Sequence, residues 1–134
     1  MTTGLLHAHS GLRYLVLLAG LIALLYALYG WLTGRPYDRG MRITGASFAG
    51  LLHLQVLLGL VLVAMGTFYG QLIGHLVMMI GAAVAAQLPV SMMRRRPPED
   101  RSYPPHVVGT LLALLLIWGG VLAIGRGLIS PTVL

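Results

Sequence analysis

Four long apolar runs, at roughly 9–32, 47–66, 72–93 and 105–124, leave this chain few folds to choose from. Each is about 20 residues or longer, the length at which an α-helix crosses the ~30 Å hydrocarbon layer of a bilayer. A run that is apolar around its whole circumference has no polar face to offer water. With 57% hydrophobic and only 9% charged residues, a chain of 134 residues is far outside the range of a soluble domain. The expected fold is all-α, an integral membrane up-down four-helix bundle forming one domain over residues 1–134.

The breaks between runs support that order. Gly34, Pro36 and Gly40 end the first run, and the turn-like stretch Gly66–Gly70 joins the second and third as a hairpin. Pro104 and Pro105 open the fourth, where a missing N–H costs a helix nothing. Pro89 is expected to kink the third run or end its regular part. The first run lacks a positive flank and a small-residue cleavage site, so it reads as a retained helix and not a signal peptide.

All nine basic residues are arginine, against three acids, giving a net charge of +6. Their placement argues against nucleic acid. Arg35, Arg39 and Arg42 follow the first run, and Arg94, Arg95, Arg96 and Arg101 follow the third. This is the pattern of short cytoplasmic loops meeting anionic lipid, and it is expected to place both termini on the opposite, outer side of the membrane. Trp31 and Tyr37 suit the interface, and local ion pairs account for Asp38, Glu99 and Asp100.

Cysteine is absent, which excludes disulfides, thiolate metal sites and covalent haem attachment. No nucleophile–base pair, phosphate-binding glycine loop or acidic metal cluster is present, and no acid lies within a run to carry protons. What remains is histidine. His9, His53, His75 and His106 fall one to a run, and an ionisable ring inside a bilayer is costly enough to point to function. Neutral imidazole is a good axial ligand for haem iron.

Depth sorts the four into pairs. Measured from the run midpoints by helical rise, His9 and His75 lie roughly 16 and 10 Å toward the outer side, and His53 and His106 roughly 6 and 13 Å toward the inner side. Runs one and three, like two and four, are diagonal partners in an up-down bundle. Two stacked bis-histidine haems about 22 Å apart would fit that arrangement, with His53 the strongest candidate and His106, at a helix mouth, the weakest.

The surroundings admit two readings each. Ala46, Ala49 and Gly50 beside His53, Met78, Met79, Ala82 and Ala86 beside His75, and Gly109, Thr110 and Ala113 beside His106 leave space for a macrocycle, but small residues also simply let membrane helices pack closely. Arg13, one turn from His9, suits a haem propionate or snorkels to head groups. Arg126 reads as an interfacial anchor, and His7 as a solvated terminal residue. Gln55, Gln71 and Gln87 are open to a quinone or to neighbouring helices.

The segments LHAHSGLR (6–13), HLQVLLG (53–59) and GHLVMM (74–79) resemble small bacterial four-helix membrane proteins labelled cytochrome b-like. The resemblance implies a haem-b electron-transfer protein, with one or two haems, His9, His75, His53 and His106 as iron ligands, and Arg13 beside the outer pair. Two other readings stand next to it. One is a cofactor-free accessory subunit of a respiratory or photosynthetic complex; the other is a magnesium tetrapyrrole held by a single histidine. The expected partners are lipid, a quinone and other membrane redox or photosynthetic subunits, with no nucleic acid.

Overall fold

In a computed structural model, residues 2–65 and 72–123 are described, and they form four helices and one short 3-10 turn. Helices α1 (Thr2–Leu32), α2 (Arg39–Ala64), α3 (Leu72–Arg95) and α4 (Pro104–Ala123) are each long and apolar enough to span a bilayer. The chain is a multi-pass membrane protein. The expected turn at Gly66–Gly70, together with Gln71, Arg126 and the tail 130–134, lies outside the described residues.

The helices pack in a ring, α1 on α2, α2 on α3, α3 on α4 and α4 back on α1, so that α1/α3 and α2/α4 are the diagonals. The interior is lined by small side chains, among them Ala23, Ala27, Ala49, Ala82, Ala85, Ala86 and Ala113, with Phe48, Leu52 and Ile117 filling the wider gaps. Large side chains point outward: Leu18, Leu25, Val77, Val108 and Trp118 are each half or more exposed. Small residues inside and large apolar ones outside is the arrangement lipid favours, because close backbone approach drives association there and a hydrophobic exterior costs nothing.

Helices α3 and α4 pack backbone against backbone. A Cβ at Gly109 would lie 2.6 Å from the Ala85 carbonyl oxygen and 2.7 Å from Pro89 Cγ, so only glycine fits. Pro89 has no N–H to give the carbonyl four residues back, which is that of Ala85. The freed carbonyl is thus covered by the bare backbone of α4. Helix α3 runs on through Pro89 to Arg95.

Helix α1 ends in a Schellman motif. Gly34 takes φ +70°, and the Arg35 and Gly34 amides donate to the carbonyls of Gly30 and Trp31. Helix α2 then starts at Arg39, eight residues before the expected 47. The reason is Asp38, whose Oδ1 accepts from the Met41 amide at 3.1 Å and caps the helix. Reading Arg39 and Arg42 as loop obscured this, but arginine stems are long enough to reach head groups from within a helix.

Candidate functional site

Polar residues inside the bundle gather at its two ends. At the end away from the arginine loops stand His9 and Arg13 of α1, Gln55 and Gly59 of α2, His75 of α3 and Gly120 of α4. His9, Arg13, Gln55 and His75 are all more than 90% buried. His9 and His75, on diagonal helices, are thus both buried at this one end of the bundle.

Each imidazole meets a glycine. The His9 ring rests against α2, where a Cβ at Gly59 would lie 3.4 Å from its Cε1. On the other side, His75 Nδ1 lies 2.8 Å from the Gly120 carbonyl oxygen. A carbonyl can only accept, so Nδ1 carries the proton, and Nε2 of the neutral ring keeps its lone pair. A ligating histidine is ordinarily fixed in this way, by a backbone carbonyl on the nitrogen that does not bind metal.

The Gln55 amide nitrogen donates to the His9 carbonyl oxygen at 2.8 Å and ties α2 to α1, which settles this glutamine in favour of a neighbouring helix. Among the described residues, His9 Nδ1, Ser10 Oγ and Gln55 Oε1 are buried without a hydrogen-bond partner. Three such atoms around one residue are unusual, since a buried polar atom left unpaired costs about 1–3 kcal/mol. Arg13 Nη2 donates to Tyr14 Oη at 3.0 Å, and its guanidinium lies 4.9 Å from the centre of that ring.

The inner pair is not brought together. His53 is exposed on the outside of the bundle, where its Nε2 meets Gln87 Oε1 at 3.0 Å and Gln87 in turn donates to Ser91 Oγ at 2.9 Å. His53 and Gln87, with Val56, Ala83 and Leu88, line an outward groove between α2 and α3 of about 350 Å³. His106, by contrast, is 1% exposed and packs against Gly45 of α2, eight residues or about 12 Å of helical rise from His53. Its Nε2 is held by the Tyr37 hydroxyl at 2.7 Å. The depth argument placed both rings in the inner half and could not see that one of them faces lipid.

His106 belongs instead to an aromatic cluster that closes the arginine end. Tyr37 stacks on it with centroids 5.6 Å apart, and Tyr103 tilts against Tyr37 at 5.5 Å. The Tyr103 hydroxyl donates to the Pro36 carbonyl at 2.8 Å, fastening one loop to the other. The Tyr26 hydroxyl reaches both Asp38 oxygens, at 2.8 and 2.7 Å. Burial pushes the Tyr37 phenol up to about 12, so it keeps its proton as a hydrogen-bonding hydroxyl. Burial alone would raise Asp38, but the bonds from Tyr26 and the Met41 amide and the Arg35 charge outweigh it and hold the carboxyl below its usual value. Tyr37, expected only as an interfacial residue, is the partner of His106, and Tyr103 braces Tyr37; Tyr103 directly before Pro104 and Pro105 was the available signal.

Among the described residues no three His, Asp or Glu side chains converge. Two imidazoles on diagonal helices would suit a haem better than a bare ion, which needs four or more ligands. His9 and His75 fit that role through the tautomer of His75, the unpaired polar atoms around His9 and the glycines behind both rings. His53 and His106 do not fit it as a pair. No family model, curated protein or solved structure matches this chain.

Proposed function

We propose that the protein is a b-type cytochrome of the bacterial inner membrane that holds one haem between His9 of α1 and His75 of α3. The observation that carries this reading is the hydrogen bond from His75 Nδ1 to the Gly120 carbonyl, which leaves Nε2 unspent on a ring buried at the same end of the bundle as His9 of the diagonal helix. A haem bound there supplies a one-electron couple. The chain's own residues do the rest. The Gly120 carbonyl fixes the ring of His75 and raises its basicity, Gln55 holds α1 in register with α2, and the bundle keeps water out. Arg13 offers a guanidinium near His9 for a propionate. Both termini lie on the periplasmic side, and the electron partner is a quinone or a neighbouring redox subunit.

The test is a pyridine haemochrome on protein purified from haem-replete cells. One haem b per chain is expected in the wild type, His53→Ala and His106→Ala, and none in His9→Ala or His75→Ala. Colourless wild-type protein, or pigment that survives His75→Ala and is lost in His53→Ala, overturns the proposal. Far-red absorption in place of a Soret and α band would assign the site to a magnesium tetrapyrrole.

The outward chain of His53, Gln87 and Ser91 favours a second, compatible reading, that of a subunit within a larger membrane assembly. Polar side chains facing hydrocarbon are groups that a partner helix would cover. A larger complex in mild detergent that dissociates on Gln87→Leu supports it, and a monomer unaffected by that change counts against it.

A further inference from the structure

The aromatic cluster at the arginine end roofs one side of a cavity of about 380 Å³, within the size range of small-molecule sites. Its walls come from three helices and the loops before α2 and α4: Tyr37, Arg42 and Ala46, then Val90, Met93 and Arg94, then Arg101 and His106. Three arginines line it, and none of the three acids of this end does. Asp38 is turned to Tyr26, the Met41 amide and Arg35, and Glu99 and Asp100 lie exposed in the 3-10 turn.

His106 lines the cavity with its Nε2 held by the Tyr37 hydroxyl, while its Nδ1 is buried against Gly45 of α2. Three guanidinium groups without an acid among them form a receptor for oxyanions, and guanidinium pairs with phosphate oxygens two at a time.

We propose that this cavity binds one phosphate group, clamped by Arg42, Arg94 and Arg101. The phosphate comes either from an anionic phospholipid of the leaflet at this end or from free phosphate. Basic pockets between membrane helices at a cytoplasmic face are suited to lipid head groups, and α2 carries Ile43 and Ala46 along the same wall for an acyl chain to follow.

The full chain in neutral detergent is examined by native mass spectrometry with phosphatidylglycerol or phosphatidylcholine, and by equilibrium dialysis with inorganic phosphate. Arg42→Gln/Arg94→Gln removes two walls of the cavity. Arg39→Gln/Arg95→Gln removes the same charge from the same end but from residues outside the cavity, and all four arginines are exposed, so both variants keep the fold. One phosphatidylglycerol per chain is expected, held about tenfold more weakly by the cavity variant than by the control. Displacement by millimolar inorganic phosphate identifies the phosphate group alone as the ligand, and resistance to it identifies the lipid. Equal retention of phosphatidylcholine with no binding of free phosphate, or equal losses in the two double variants, overturns the proposal. Haem content does not enter this readout, so the outcome is independent of His9 and His75.

Discussion

The two ends of the bundle use polar side chains in opposite ways. At the arginine end hydroxyls and carboxylate are consumed by the protein itself: Tyr26 on Asp38, Tyr103 on Pro36, Tyr37 on His106, and Asp38 on the first turn of α2. At the histidine end one bond ties α1 to α2 and one holds His75 to α4, while His9, Ser10 and Gln55 each keep a buried atom unpaired. Burial is similar at both ends, so burial does not separate these histidines. Which nitrogen is spent does: His106 spends Nε2 on a tyrosine and keeps Nδ1 unpaired against Gly45, whereas His75 spends Nδ1 on a backbone carbonyl and leaves Nε2, the nitrogen that iron would use.

The largest expected effect tests whether the ends are held by a common middle. Gly109→Leu drives a side chain into the Ala85 carbonyl and Pro89, which overpacks the α3–α4 contact at a cost of about 3 kcal/mol or more. Thermal unfolding in detergent should show one transition at much lower temperature. Two separated transitions would mean that the histidine end folds without the arginine end.

A smaller effect is confined to the arginine end. Asp38→Ala removes the cap of α2 and the acceptor of Tyr26, for about 1–2 kcal/mol, and pigment content at the far end should not change. Asp38→Asn separates cap from charge, since asparagine caps nearly as well. Because the folded carboxyl titrates below its usual value, the stability it contributes is present above the ordinary carboxylate range near ~4 and is lost as pH falls through the folded value. The gap in Tm between wild type and Asp38→Asn should therefore narrow in acid, and a gap that is constant with pH would remove the charge from the explanation.

These contrasts also show which parts of the molecule could be read without coordinates. The four helices were legible because each apolar run has the length of a bilayer, and the end of α1 because Gly34 is the residue a left-handed cap requires. Which face of each helix turns inward was not. In water an apolar stripe marks the buried side, but in lipid both sides are apolar, and Leu57 beside His53 faces out as readily as Leu52 faces in. Small residues are the remaining guide. They succeeded on α4, where Gly109, Thr110 and Ala113 are buried, and misled on α2, where Ala46 and Gly50 face outward with His53. Distance along the chain put His53 and His106 about 7 Å apart in depth, where α2 separates them by about 12 Å, and it carried no azimuth; a bis-histidine site needs both.

The smallest expected change in stability makes the sharpest comparison. Gln55→Leu deletes the bond to the His9 carbonyl and with it the unpaired Oε1, and a polar contact between membrane helices is worth only about 0.6 kcal/mol on average. The apo protein should unfold within a degree or two of the wild type, because the lost bond is offset by the removal of a buried, unsatisfied oxygen. Under the proposed function the same substitution loosens α1 where His9 is presented, so haem should dissociate faster even though the fold is intact. Asp38→Ala predicts the reverse, lower stability with unchanged haem retention. A Gln55→Leu protein that loses stability and haem together would place Gln55 among the structural bonds, and the distinction between the two ends would then rest on His75 and Gly120 alone.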